Sequence, residues 1–379
     1  MKVAFVTNFI PPYRVSFFSK MAKLKGVDLL VIHGEVLQET GRPSARNHTD
    51  WKFNSHIIKN FEKGFGSFVL RWQSGVLPVL CSFKPDIIVI LGISGTLSNW
   101  LILTWARYKR LHSMMWMCGW EAQEKNSISY YVKKYFLRLY VQLPSIILVY
   151  GTKAYNSMID LGVPNKKCVV CYNGLDIEGS DNTSRIIDRG KRIRHELNPT
   201  GLPIFLYVGG ILKEKKLDLL LYAFYQLKKN RKAKLWIIGD GPLLSDVKNL
   251  ASSLGLSDVH FFGRIIDDVD SYFYASDFFV LPGIGGLALN QAMFWGSPCI
   301  CSDADGTEDD LVINNETGFR FITNSVDSLN ESLLKAVKIY KNDELYHKMT
   351  ATSLELIKSR SNVNHMLDIF FDEFKKMTT

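Results

Sequence analysis

No apolar run in the 379 residues reaches the roughly 18 that a membrane-spanning helix needs. The opening stretch MKVAFVTNFIPPYR is broken by Pro11 and Pro12 before a signal-peptide core of ordinary length can form. The two absences predict a cytosolic protein without a transmembrane anchor. Acid is in short supply: 37 Asp and Glu stand against 46 Lys and Arg, giving a net charge of +9 and a pI near 9.1. Such a surface suits nucleic acid, an anionic membrane or a phosphorylated substrate, or is simply solvated. No DNA- or RNA-binding signature is present, so nucleic acid is not expected as a partner. Six cysteines lack the company that a zinc site requires. Cys168 and Cys171 form a C-x-x-C, but they lie in a strand-like run, VVCYN, where residues three apart face opposite sides. Histidine or cysteine at ligand spacing is missing beside them, and Cys299-Ile300-Cys301 does not supply it. Small buried thiols in a reduced compartment are the expectation.

What is present points to two domains. The length suits a pair, and 47% hydrophobic with 22% charged residues marks a globular chain. Short apolar runs at 2–7, 27–33, 85–91, 113–117, 145–150 and 167–172 alternate with helical stretches at 15–24, 67–82, 97–107, 128–143 and 152–161. That alternation predicts a parallel sheet covered on both faces. A polar excursion at 34–55, with Arg42, Arg46 and His48, interrupts it. Between 176 and 203 the composition turns polar and charged, and a linker is placed there. A second series follows: strands at 204–208, 233–239, 258–262 and 277–281, and helices at 216–229 and 243–254. An amphipathic helix at 363–376 closes the chain. The expected layout is a first domain over 1–175, a linker over 176–203, a second domain over 204–360, and a terminal helix over 361–379.

The stretch from Phe279 to Phe319, FVLPGIGGLALNQAMFWGSPCICSDADGTEDDLVINNETGF, carries the chemistry. A strand ends at Pro282. The turn Gly283-Ile284-Gly285-Gly286 leads into a helix that Gly296-Ser297-Pro298 stops, and another strand begins at Cys299. Glycines at the carboxyl end of a parallel strand let a ligand reach the backbone, and the free amides of the next helix favour an anion. Helix–strand packing alone can also demand glycine there.

The order of these residues resembles the nucleotide-sugar half of GT-B glycosyltransferases, retaining family 4 (glycosyl transferases group 1) in particular. That family reads P-S-x-x-E-G-F-G-L-x-x-x-E-A-M-A-x-G-x-P-V. This chain keeps Pro282, Gly286, Leu287, Ala292, Met293, Gly296 and Pro298, while Gly283 and Gln291 stand where the family has glutamates. Five further blocks extend the likeness over nearly the whole chain. They are Asn173-Gly174-Leu175-Asp176, Gly209–Lys216, Trp236–Pro242, Phe261-Phe262-Gly263 and Asn315–Phe319. The fold implied is α/β, two Rossmann-like domains whose parallel sheets face a central cleft, with the last helix crossing back to the first domain.

The resemblance also assigns a donor site. The family's G-R-L-x-x-x-K-G falls on Gly209–Lys216, so Gly210 stands at the arginine position and Lys215 at the diphosphate-binding lysine. An ammonium on a flexible stem suits diphosphate oxygens as a point charge. Arg264 is a candidate for the missing guanidinium. Gly285, Gly286 and the Leu287 amide are the anion-binding candidates. Gln291 is placed on the ribose, with a neutral amide in place of a carboxylate. Glu308 matches a family glutamate that contacts donor hydroxyls. Asp303-Ala304-Asp305 has the D-x-D form of metal-dependent GT-A enzymes, but in this setting reads as a solvated acidic loop. Glu121, after Gly119-Trp120, is the acid/base candidate, against the plainer reading of a helix N-terminus. The family is thought to react on one face of the donor with help from the leaving phosphate, so neither a protein nucleophile, a metal nor a cofactor is expected.

The resemblance implies a hexosyltransferase-like enzyme that moves a sugar from a nucleotide-diphosphate donor to a lipid-linked or polysaccharide acceptor, in surface polysaccharide synthesis. A non-catalytic GT-B partner subunit and a sugar-nucleotide 2-epimerase are the alternatives. The helix at 127–143 mixes Tyr130, Tyr131, Tyr135, Phe136 and Tyr140 with Lys133, Lys134 and Arg138. That mixture suits an anionic membrane surface, and places the protein at the inner face of the cell membrane.

Overall fold

A computed structural model of the chain describes residues 1–34, 51–65, 68–119, 128–176, 183–340 and 343–378. The chain divides into two units. Unit 1 comprises Met1–Tyr172 together with Val363–Thr379, and unit 2 is Asn173–Asn362.

Unit 1 begins with β1 (Lys2–Thr7), α1 (Pro12–Met21), β2 (Asp28–Gly34), β3 (Asn54–Phe65), β4 (Phe68–Ser74) and α2 (Val76–Phe83). It continues with β5 (Ile87–Leu91), α3 (Leu97–Tyr108), β6 (His112–Met117), α4 (Ile128–Tyr140), β7 (Ile146–Val149), α5 (Thr152–Asp160) and β8 (Cys168–Val170). The sheet runs β4-β3-β2-β1-β5-β6-β7-β8, parallel throughout except for β3 against β4. The antiparallel pair corrects the helix expected over 67–82. Only Gly66 and Ser67 separate the paired ends Phe65 and Phe68, a hairpin-length gap with glycine first, and the helix begins later, at Val76. β1 and β5 are buried because helices cover both faces, which is why they read as unbroken apolar runs.

Unit 2 contains α6 (Thr183–Leu197), β9 (Ile204–Val208), α7 (Leu217–Lys228), β10 (Lys234–Ile238), α8 (Leu244–Ser253), β11 (Val259–Gly263), α9 (Val269–Ala275) and β12 (Phe278–Leu281). Then come α10 (Leu287–Phe294), β13 (Cys299–Cys301), α11 (Glu308–Leu311), β14 (Gly318–Arg320), α12 (Val326–Tyr340) and α13 (Asp343–Arg360). Its sheet is parallel throughout, in the order β11-β10-β9-β12-β13-β14. The chain steps outward from β9 in one direction and from β12 in the other. The loops after these two neighbours therefore diverge, and open α/β sheets bind ligands at such a divergence.

The stretch expected as a linker differs from that reading. α6 packs on α9 and belongs to unit 2. Its sequence looks polar because its buried residues are only Gly190 and Ile193. A Cβ at Gly190 would stand 2.7 Å from the Tyr274 ring, so glycine sets the close approach. Arg194 on the same helix donates to Asp277 (2.9 Å), whose other oxygen accepts the Ile204 amide (2.8 Å).

α14 (Val363–Thr378) is part of unit 1. Phe370 on it joins Phe5, Phe17 and Trp116, with ring centroids 5.3–6.4 Å apart. The ends of unit 2 lie side by side. Leu175 bridges Asn362, and a Cβ at Gly174 would stand 2.6 Å from the Asn362 backbone. Asn290 on α10 binds both ends, donating to the carbonyls of Asn173 (3.0 Å) and Ser361 (3.3 Å). On the unit 1 side, the rings of Tyr172 and His365 stand 6.2 Å apart.

Candidate functional site

The loops at the carboxyl ends of β9, β10 and β12 are packed backbone to backbone. Gly239, at φ +150°, leaves no room for a Cβ, which would fall 1.8 Å from the Gly209 carbonyl oxygen. A Cβ at Gly241 would fall 2.4 Å from the Ile211 carbonyl, and one at Gly283 would fall 2.1 Å from that of Glu214. Hydrogen bonds fill the spaces thus kept open, Ile211 N to Asp240 O (2.9 Å) and Ile284 N to Glu214 O (3.0 Å). Gly283, at the family's first glutamate position, is thus required by the approach of the β9–α7 loop.

Lys215 closes a short 3-10 turn over Lys213–Lys215, and its ammonium donates to the Ile284 carbonyl in the glycine turn. A Cβ at Gly285 would stand 3.1 Å from Nζ. The structure therefore brings Lys215, Gly285 and Gly286 together. Gly210 belongs to the same loop group, with its carbonyl accepting the Tyr207 hydroxyl at 2.8 Å. Lys216 points elsewhere, to Asn324 at 2.5 Å. Arg264 is exposed, follows the edge strand β11, and has no hydrogen-bond or ion-pair partner among the described residues.

Gly286 precedes α10, which has no side-chain cap, so the Leu287 amide begins the helix without one. A Cβ at Gly286 would meet the Asp305 carboxylate at 2.4 Å and the Thr307 hydroxyl at 2.9 Å. Asp305 is held in place through its other oxygen, which accepts the Thr307 amide (3.1 Å) and hydroxyl (2.6 Å). A negative charge thus stands beside the amides expected to take an anion. The DAD loop is not merely solvated. Asp303 pairs with Arg320 at 2.6 Å, and Arg320 also reaches Asp309 (3.0 Å) and Glu308 (3.8 Å). The carboxylate oxygens of these three acids lie within 4.8 Å of one another, a spacing that suits a metal ion, and the Arg320 guanidinium supplies the positive charge among them.

Two expected donor contacts are committed within the unit. The Gln291 side chain donates to Asp270 (2.9 Å), which also accepts the Trp295 indole N–H (2.6 Å), tying α10 to α9. Glu308 is fully buried, and its oxygens accept the amides of Ala304 (3.0 Å) and Gly306 (2.8 Å). Burial pushes its carboxyl above the usual range, against the lowering effect of the amides. Glu121, Arg42, Arg46 and His48 lie outside the described residues. Cys168, Cys171, Cys299 and Cys301 are buried free thiols, and burial pushes the first two up to about 12. Sequence reasoning missed Arg320 and Asn290. The partners of Asn290 come from distant stretches, and those of Arg320 from the acidic loop 11–17 residues before it.

Residues 188–354 match the family model Glycosyl transferases group 1. The matched residues fall within unit 2, and the two parallel-sheet units have the GT-B fold. N-acetyl-alpha-D-glucosaminyl L-malate synthase of Bacillus anthracis is 22% identical over 254 residues, 62% of each chain. D-rhamnosyltransferase WbpZ of Pseudomonas aeruginosa is 30% identical over 159 residues, 40% of this chain and 39% of that one. The chain thus spans less than two thirds of the length of these curated relatives. Among solved structures, Anabaena HepE in complex with UDP superposes with a TM-score of 0.76 at 14% identity, covering 99% of this chain and 100% of that one.

Proposed function

We propose that the protein is a metal-independent, retaining glycosyltransferase of family 4. It takes a hexose from a nucleotide-diphosphate donor and places it on a lipid-linked or polysaccharide acceptor, in surface polysaccharide synthesis. The observation that carries the reading is the seat of Lys215, whose ammonium rests on the glycine turn where β9 and β12 diverge. A diphosphate there meets one flexible cation and the uncapped start of α10. The crystallised UDP and UDP-glucose complexes of HepE support a nucleotide-sugar donor.

Incubation with a panel of nucleotide sugars, followed by release of nucleotide, tests the activity. Lys215→Ala should weaken nucleoside diphosphate by ~2–5 kcal/mol, the cost of removing one partner of a desolvated charge pair. Lys216→Ala, whose ammonium is bonded to Asn324, should leave it unchanged. Equal binding by the two variants would refute the site. Chelator should leave turnover intact if the reaction needs no metal.

The commitment of Gln291 to Asp270 and of Glu308 to its own loop favours a second reading, a non-catalytic partner subunit that still binds nucleotide. Tight binding of nucleoside diphosphate without turnover of any donor would select it.

We further place α4 on an anionic bilayer at the inner face of the cell membrane. Tyr131, Tyr135 and Phe136 are 64%, 61% and 54% exposed on that helix, which also carries Lys133, Lys134 and Arg138.

A further inference from the structure

Unit 1 holds a cavity of about 420 Å³ at the amino ends of β6 and β7, the edge of the sheet opposite its strand-end loops. Arg107, Arg110, His112, Gln142, Ser145 and Lys167 contribute its polar lining, and no acidic residue lines it. The side chains of Arg107, Arg110 and His112 have no hydrogen-bond or ion-pair partner among the described residues. Lys167 donates to the Gln142 carbonyl at 2.7 Å. Arg110 holds a left-handed backbone at φ +56°, uncommon for a side chain of this size.

Two arginines and a lysine thus line one space that no acidic side chain lines. Burial, and then the charge of Arg107, lower the Lys167 ammonium to about 8. The volume lies in the range of small-molecule sites, roughly 300–1,000 Å³. Two guanidinium forks, an ammonium and a hydroxyl form a donor set that fits tetrahedral oxyanions, while the Gln142 amide donates to the Gly162 carbonyl at 3.3 Å.

We propose that this cavity is a binding site for a phosphate-bearing anion, independent of the glycine turns in unit 2. The same chemistry describes a free phosphate compound and a phospholipid headgroup, so the experiment has two arms. Titration calorimetry of the full chain with inorganic pyrophosphate reads the free anion. Flotation with phosphatidylcholine vesicles, with and without phosphatidic acid, reads the headgroup. Arg107→Gln alters an exposed helix end. Arg110→Gly removes the charge while keeping a backbone that glycine adopts readily. Thermal melting checks that both variants fold.

Each variant should weaken one pyrophosphate equivalent about tenfold, the worth of a hydrogen bond to a charged group. The double variant should lose that equivalent, and Lys215→Ala in unit 2 should retain it. If pyrophosphate shows no such equivalent, but phosphatidic acid recruits the wild type and not the double variant, the headgroup is the ligand and the site stands. If the double variant binds both probes as the wild type does, the cations only cap the carboxyl ends of α3 and α4, and the proposal is overturned.

Discussion

Units 1 and 2 share a strand–helix alternation but expose different things. At the carboxyl edge of the unit 2 sheet the loops touch through Gly209, Gly239, Gly241 and Gly283, and the Lys215 ammonium rests on the backbone of the glycine turn. Unit 1 instead exposes side chains, with Tyr108 81% exposed on α3, Phe61 and Trp72 on its hairpin, and the aromatic stripe on α4. A surface of amides, with the lysine resting on it, suits a small charged ligand. Exposed aromatics and cations are the side chains that the proposed membrane contact would use.

The contrast breaks most sharply at a pair of glycines. Gly239→Ala drives a Cβ into the Gly209 carbonyl, so it should cost unit 2 about 4 kcal/mol or more, among the largest single-residue effects. Gly64→Ala in β3 of unit 1 meets open space and should shift stability by no more than ~0.5 kcal/mol. Urea unfolding of both variants measures the difference, and equal losses would remove the distinction between the two sheets.

The next largest effect concerns α4. Changing Lys133, Lys134 and Arg138 to glutamate should weaken partition onto anionic vesicles by at least ~3 kcal/mol, at about 1 kcal/mol per charge near the surface. Cosedimentation at low salt reads it. A wild type that stays in the supernatant would end the membrane reading.

A smaller effect sharpens the picture of unit 2. Asp305→Asn removes the negative charge beside Gly286 and should tighten nucleoside diphosphate by ~0.3–1 kcal/mol, the scale of a charge at a helix end. Weaker binding would mean that Asp305 orders the turn rather than competing with the ligand.

The smallest effect depends on pH. Burial raises the Asp268 carboxyl, but the Ser271 hydroxyl and Arg189 outweigh it, and the net shift is downward. A depressed carboxylate contributes stability above its unfolded pKa and loses it as pH falls through the folded value. Wild type should therefore lose slightly more stability on acidification below pH ~4 than Asp268→Asn does. Parallel acid profiles would discount the α6–α9 ion pair.

The glycine-dense half of the chain was the more legible in sequence. Gly239, Gly241 and Gly283 mark places where backbones meet, and the glycine spacing shows where such loops fall. The β3–β4 hairpin was misread because FVLRWQS has the apolar content of either element, and its partner strand supplies the pairing. α6 was read as linker because Gly190 packs through the side chain it lacks. The partners of Gln291 and Glu308 within the chain were not legible either. Their residue types match the expected positions, but Asp270 and the amides of Ala304 and Gly306 decide where their polar atoms point.

The bridge between Leu175 and Asn362 has a consequence for building with this chain. Unit 2 is a single continuous segment that starts and finishes at one spot, so unit 1 is split in sequence between Tyr172 and Val363, while the rings of Tyr172 and His365 stay in contact beside the break. A short splice across that gap should yield unit 1 as a free-standing module. Joining residues 173 and 362 through a few glycines should close unit 2 into a ring, opened afresh at any exposed loop of choice.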